Sequence, residues 1–125
     1  MDLKITFQQL EGWSVAHVEG ELDIATTDEL RRRLTDALSA VDGGVRLVVD
    51  LTRLDFCDAS GLGALLAARE TAERLGAKVR LAITEGRVLR VIRLTQLDRV
   101  LPVYPTVRAA VSATDAEVDA LSFSG

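Results

Sequence analysis

VRLVVDLTRLDFCDASGLG, residues 45–63, begins as an almost continuous apolar run and ends in a turn of small and polar residues. The run from Val45 to Leu51 is typical of a central strand that is covered on both faces of a sheet. After the turn, apolar residues recur at helical spacing in one stripe, formed by Leu62, Leu65, Leu66, Ala68, Ala72 and Leu75. The stretch therefore predicts a strand, a short loop and a helix that ends at Gly76, a left-handed C-cap.

The residues before this stretch predict a hairpin and a helix. Two runs rich in strand formers, Leu3 to Phe7 and Trp13 to Val18, flank the turn Glu11-Gly12 and predict a hairpin at the sheet edge. A helix is predicted to begin with a capping box formed by Thr26 and Glu29 and to end at Gly43-Gly44. Its apolar positions are Leu30, Leu34, Ala37, Leu38 and Val41.

The alternation of strand and helix continues after the stretch. Val79 to Ile83 is predicted as a strand, Gly86 to Leu94 as a short helix and Val100 to Tyr104 as a strand, and Pro105 opens a final helix at its first turn. The order ββαβαβαβα indicates an α/β fold, a mostly parallel sheet with an N-terminal hairpin and helices packed on it. We expect one domain over residues 1–113 and a loosely held tail, dispensable for folding, over 114–125.

Composition excludes several classes of function. With 19 acidic and 15 basic residues, the net charge of −4 gives no attraction to nucleic acid or to anionic lipid. Cys57 is a single cysteine and His17 a single histidine, so we expect neither an internal disulfide nor a zinc site. No apolar run approaches the roughly 18 residues of a membrane span, and Met1 to Leu10 contains no signal-peptide core. These features predict a cytoplasmic protein.

Ser60 is the candidate site in the turn. It is predicted at or beside the N-cap of the following helix, where its oxygen can accept from first-turn amides while Gly61 and Gly63 keep the turn free of Cβ atoms. A phosphate there would meet backbone donors and the positive end of the helix dipole. It would add a charge of about −1.5 to −2 next to Asp58, with Asp55 in the same loop. Taken alone, however, a serine at an N-cap is more often structural.

The turn resembles the signature of STAS domains, especially those of bacterial anti-sigma factor antagonists, whose usual form is F-x-D-S-S-G-L. Five residues match it: Phe56, Asp58, Ser60, Gly61 and Leu62. Ala59 stands where the family often has a serine, which removes an alternative phosphoacceptor. A second segment, Glu19 to Asp23, resembles the G-x-L-D turn of the family. The resemblance implies a single STAS domain with Ser60 as the phosphorylated residue.

The same resemblance implies a function. An anti-sigma factor antagonist of this kind is not an enzyme; its unphosphorylated form binds an anti-sigma factor that is also a serine kinase, and the sigma factor is released. Phosphorylation of Ser60 would end the binding, and an opposing serine phosphatase would restore it. The implied partner-binding residues are Asp23, Asp58, Ala59, Ser60, Gly61, Leu62 and Gly63.

Two alternatives stay open. A STAS domain can instead be a scaffold or sensor module in a stress-sensing complex, or a partner in a transporter or lipid-trafficking assembly. A small nucleotide-binding enzyme is disfavoured because no Lys-Ser or Lys-Thr and no third glycine follow Gly61 and Gly63.

An Mg²⁺ cluster of Asp50, Asp55 and Asp58 lacks the expected loop lysine. We predict no cofactor and no metal, and interpret His17 as a satisfied strand histidine and Cys57 as a packed small apolar residue.

Overall fold

The computed structural model describes residues 2–114. Its sheet has the order β1-β2-β3-β4-β5, with β1 and β2 antiparallel and the others parallel. The strands are β1 Leu3–Leu10, β2 Trp13–Leu22, β3 Arg46–Cys57, β4 Lys78–Ala82 and β5 Val103–Tyr104. The helices are α1 Thr27–Leu38, α2 Gly63–Leu75, α3 Arg87–Leu94 and α4 Val107–Ser112, with 3-10 turns at Ala59–Leu62 and Leu97–Arg99. The predicted order and the edge hairpin are confirmed.

The two faces of the sheet bury different amounts of apolar surface. On one face of the sheet, strands β1, β2, β3 and β4 pack against α1, α2 and α3 in a large apolar cluster. This cluster includes Leu30, Leu34, Leu47, Val49, Leu65, Leu81 and Ile92. A smaller cluster lies beneath α4 and consists of Trp13, Val15, Val48, Ala82, Ala110 and Val111. Residues 47, 48 and 49 alternate between the two clusters, as the period of a strand requires. Strand β3 is therefore covered on both faces, as its apolar run predicts.

Strand β3 is longer than predicted, and β5 is shorter. Residues 52–57 continue the strand instead of forming a loop, because β2 extends beside them to Leu22 with register shifts after His17 and Gly20. Asp55 and Phe56 consequently lie on the strand. Residues 100–102 are not part of β5, because the 3-10 turn Leu97–Arg99 leads directly into them.

The ends of two helices differ from the prediction. Helix α1 ends at Leu38, its last buried residue, and Val41 is 61% exposed. The amide of Ala40 bonds to Ala37 O, three residues back, so the helix is already closing before the two glycines. Pro105 lies outside α4, because the N-cap is Thr106, whose Oγ1 accepts from the amide of Ala109 at 3.0 Å.

The predicted capping box at α1 does not form. The side chain of Thr26 makes no cap hydrogen bond, and its hydroxyl donates to Glu21 O at 2.8 Å. A carboxylate oxygen of Asp23 instead accepts from the amides of Ala25 and Thr26, at 2.9 and 3.1 Å. An ionised carboxylate is a strong acceptor for amides at a helix start, so Asp23 stabilises the entry into α1.

Helix α2 ends as predicted, at Gly76 in the left-handed conformation with φ 69°. Its stripe is correct except for Leu66, which is 45% exposed. Among residues 2–114, no helix is long and apolar enough to cross a membrane. The predicted tail lies, apart from Thr114, outside the described residues.

Candidate functional site

The turn between β3 and α2 is organised by Asp58. Its Oδ1 accepts from the amide of Gly61 at 2.9 Å and from the hydroxyl of Ser60 at 2.7 Å. Asp58 is the N-cap of the 3-10 turn, and Ser60 lies within that turn. The sequence predicts Ser60 at or beside the N-cap, with its oxygen accepting from first-turn amides; it lies two residues after the cap, and the capping acceptor is Asp58, which comes first and has the stronger acceptor group.

The second anchor of the turn comes from α1. The hydroxyl of Thr27 donates to Gly61 O at 3.1 Å and accepts from the amide of Ala64 at 3.2 Å. One side chain thus satisfies the 3-10 turn and the first turn of α2 together. Sequence reasoning missed Thr27, because its partners lie 34 and 37 residues further along the chain and no local pattern indicates them.

The two glycines of the turn differ in how closely the chain packs around them. A Cβ atom on Gly61 would overlap the carbonyl oxygen of Leu22 and lie 2.7 Å from its carbonyl carbon. At Gly63, the nearest atom to such a Cβ is Thr27 Oγ1 at 3.8 Å, an ordinary contact. The structure therefore requires glycine at position 61, where the end of β2 packs against the turn, but not at position 63.

The predicted partner-binding residues divide into exposed and buried groups. Ala59, Ser60 and Gly63 are exposed, and Asp23 and Asp58 are half-buried. Gly61 and Leu62 are buried and hold the turn against the core. Three large apolar side chains that the sequence reasoning did not assign to the site are exposed on the segments that meet here: Ile24 after β2, Phe56 at the end of β3 and Leu66 on α2.

His17 and Asp50 lie on neighbouring strands and form a separate polar cluster. The His17 ring has Asp50 Oδ2 2.6 Å from Nδ1 and Gln8 Oε1 2.8 Å from Nε2. The other oxygen of Asp50 accepts from the amide and the hydroxyl of Thr52. His17 is thus a satisfied strand histidine, as predicted. In the part of the chain that the structure describes, no three acidic, histidine or cysteine residues are grouped to hold a metal ion.

Cys57 is packed at the end of β3, as predicted, and is 6% exposed. Burial, together with the neighbouring carboxylate of Asp58, raises the pKa of the thiol from 9.0 to about 12. Because the thiolate is the nucleophile, we expect native Cys57 to react with a thiol reagent far more slowly at pH 8 than the urea-unfolded chain does. Equal rates measured with an aromatic disulfide reagent would contradict this burial.

Comparison with known proteins places these features in a family. The model of the STAS domain matches residues 4–110. The anti-sigma-F factor antagonist RsfA of Mycobacterium tuberculosis is 35% identical over 112 residues, which cover 90% of this chain and 88% of that protein. An anti-sigma F factor antagonist of Paenibacillus polymyxa is 27% identical over 83% of this chain and 88% of that protein.

Solved structures share the same fold. The crystal structure of an anti-sigma factor antagonist from Mycobacterium paratuberculosis superposes with a TM-score of 0.79 at 28% identity, covering 89% of this chain and 92% of that one. The STAS domain of a SulP transporter from Vibrio cholerae superposes with a TM-score of 0.66 at 20% identity, covering 90% and 88%. At this lower identity, the likeness to the transporter domain shows the fold alone.

Proposed function

The chain belongs to the STAS domain family, and we propose that it acts as an anti-sigma factor antagonist that is switched by phosphorylation of Ser60. In the unphosphorylated state it binds an anti-sigma factor with serine kinase activity, and the sigma factor is released. A serine phosphatase restores the binding state. The protein itself is a non-enzymatic regulator that acts in the cytoplasm. The proposal is supported by two relatives that are named as anti-sigma F factor antagonists, each matched over 88% of its length.

One observation carries the assignment to Ser60. Its hydroxyl is exposed and donates to the carboxylate of Asp58 at 2.7 Å. A kinase can reach this oxygen without unfolding the turn, because the turn is also held by Thr27 and by the buried Leu62. The adjacent residue is Ala59, which has no hydroxyl to phosphorylate. Ser60 is therefore the phosphoacceptor that we propose in this turn.

Phosphorylation would change the turn through charge. The modified oxygen has no proton to donate, so the hydrogen bond to Asp58 is lost, and a group of charge about −1.5 to −2 replaces it beside a carboxylate. The amides of Gly61 and Ala64 already bond to Asp58 and to Thr27. The phosphate would therefore compete with Asp58 for the cap. We expect the exposed edge of the turn to rearrange while α2 stays in place.

The unmodified surface suits a partner that is apolar with a cationic rim. Small residues, Ala59, Ser60 and Gly63, leave the backbone open to close approach. Ile24, in the segment between β2 and α1, and Leu66 on α2 are both exposed, and apolar anchors of this size often dominate interfaces. Asp23 and Asp58 provide negative charge, which favours lysine or arginine on the partner. A phosphate added to this surface would lose its hydration when the partner binds, and the partner would have no further lysine or arginine to neutralise it.

Phosphate mapping tests the site directly. Incubation with a cognate anti-sigma factor kinase and ATP is expected to add one phosphate per chain, and peptide mass spectrometry is expected to place it on Ser60 because this hydroxyl is exposed at the start of a helix. Ser60→Ala is the control and should stay unmodified. Phosphate on Ser14, Ser39 or a tail serine, with Ser60 bare, would show that the switch lies elsewhere.

Affinity purification with the unphosphorylated protein tests the partner. We expect recovery of a kinase-fold anti-sigma factor, and its binding should be reproduced with the two purified proteins. Recovery of transporter fragments or lipid would favour a scaffold role for the same fold. Nucleotide turnover by the isolated chain would favour an enzyme. Either result would overturn the proposed function.

A further inference from the structure

Strand β1 is an open edge of the sheet. It has eight residues and pairs with β2 over its whole length without a register shift. Within residues 2–114, no strand pairs with its other side. The opposite edge, β5, has only two residues. The longer edge therefore offers much more backbone for pairing with another chain.

The outward hydrogen-bonding groups of β1 can be identified from its two ends. The turn Glu11-Gly12 has φ of 51° and 84°, typical of a two-residue type I′ hairpin, so Leu10 and Trp13 are the bonded pair that closes it. At the other end, Asp2 O accepts from the amide of Glu21. Even-numbered residues therefore bond to β2, and residues 3, 5, 7 and 9 direct their N–H and C=O groups to the open side.

This edge has few of the features that usually prevent pairing. Natural edge strands are protected by proline, bulges, charged side chains or a covering loop. Strand β1 has no proline and no bulge, and its single charged residue is Lys4, near one end. Phe7 in the middle is 39% exposed. An exposed aromatic side chain on an unprotected edge favours strand addition.

We propose that two copies of the chain pair through β1, antiparallel about a two-fold axis at Thr6. A two-fold axis perpendicular to the sheet keeps α1, α2 and α3 of both copies on the same face, so residues of equal parity must be opposite one another. Only the axis at Thr6 engages all four outward-facing residues, since Leu3 then pairs with Gln9 and Ile5 with Phe7. On the other face, Lys4 is opposite Gln8, and no like charges meet.

The occupant is a second copy because the register is self-complementary. Ile5 and Phe7 of one copy meet Phe7 and Ile5 of the other on the face that carries α1, α2 and α3, which covers more of the Phe7 ring than the Arg33 guanidinium, 5.5 Å from its centroid, does alone. Thr6 meets itself, and paired threonines are favourable across strands. The proposal does not depend on the function proposed for Ser60, so either can fail alone.

Cysteine cross-linking tests the register. At a two-fold axis between non-bonded positions, the two Cα atoms at residue 6 would be about 4.5 Å apart, within the range of about 4.4 to 6.8 Å for a disulfide. Two cysteines at position 8 would be offset by four residues, about 13 Å. We expect Thr6→Cys to form a disulfide-linked dimer and Gln8→Cys to stay monomeric on mild oxidation. A mixture of Lys4→Cys and Gln8→Cys should cross-link.

Sedimentation measures the association itself. The wild-type chain is expected to dimerise with a dissociation constant in the micromolar range. Thr6→Lys, which opposes two positive charges at the axis, should raise that constant about tenfold or more, whereas Thr6→Val should not. Thr6 is exposed, so circular dichroism should show both variants folded. Monomeric wild type at every concentration, or Gln8→Cys linking as fast as Thr6→Cys, would overturn the proposal.

Discussion

Gly61→Ala is expected to destabilise the protein by about 3 kcal/mol or more, the upper range for overpacking, or to prevent folding. The added Cβ would overlap the carbonyl oxygen of Leu22. Both groups belong to backbone that is fixed: Leu22 ends β2 and accepts from the amide of Asp58, and Gly61 is held by Asp58 and Thr27. Relief therefore requires a strand end to move, which urea unfolding should report as a lower midpoint.

Gly63→Ala is the matched control for that loss. Gly63 has φ −54° and ψ −34°, helical values that alanine adopts readily, and outside its own helix and chain neighbours the nearest atom to the new Cβ is Thr27 Oγ1 at 3.8 Å. We expect a neutral effect or a gain of up to about 1 kcal/mol. An equal loss in both variants would show that neither glycine position tolerates a Cβ atom, contrary to the geometry.

Arg80→Ala is expected to cost about 3 kcal/mol, because hydrogen bonds from a charged donor contribute about 1.5 to 3 kcal/mol and a buried carbonyl left without a donor costs about 1 to 3 kcal/mol. Arg80 is 2% exposed. Its Nη1 donates to Ala110 O at 2.6 Å and to Ala113 O at 2.8 Å, so it satisfies carbonyls at the end of α4. The guanidinium also lies 4.3 Å from the centroid of the Trp13 ring. The substitution removes these contacts and leaves a cavity beneath α4.

Arg46 provides the control for Arg80, because its guanidinium lies over the same Trp13 ring at 4.8 Å but its side chain is exposed. Exposed cation–π contacts contribute about 0.5 to 1 kcal/mol, so Arg46→Ala should cost less than Arg80→Ala. Thermal unfolding of both variants gives the comparison. Similar losses would mean that burial and the α4 carbonyls do not distinguish the two arginines.

The elements were predictable because their patterns are local. The apolar run at 45–51, the helical stripe of α2 and the left-handed Gly76 each depend on neighbouring residues, and they fix the order of the fold. The turn Glu11-Gly12 similarly indicates the hairpin. The likeness of the turn before α2 to a family signature then identified Ser60 as the candidate switch.

Features that depend on distant contacts could not be predicted. Strand β3 extends to Cys57 because β2 lies beside it, and Thr27 anchors the turn through Gly61 and Ala64. Neither effect is visible in a short window of sequence. The capping role of Asp58 could have been predicted from the sequence, because aspartate is as good an N-cap residue as serine. The burial of Arg80 could not be predicted, since a charged residue in a strand ordinarily reaches solvent.

The central claim is that charge at residue 60 controls binding to the anti-sigma factor. Calorimetric titration of wild type, Ser60→Asp and Ser60→Ala against the same anti-sigma factor tests it most directly. Circular dichroism must first show that all three are folded. An unpaired, desolvated anion beside Asp58 costs several kcal/mol, so Ser60→Asp should bind more than about a hundredfold more weakly. Ser60→Ala should bind like wild type. Equal affinities for all three proteins would contradict control of this interaction by charge at Ser60.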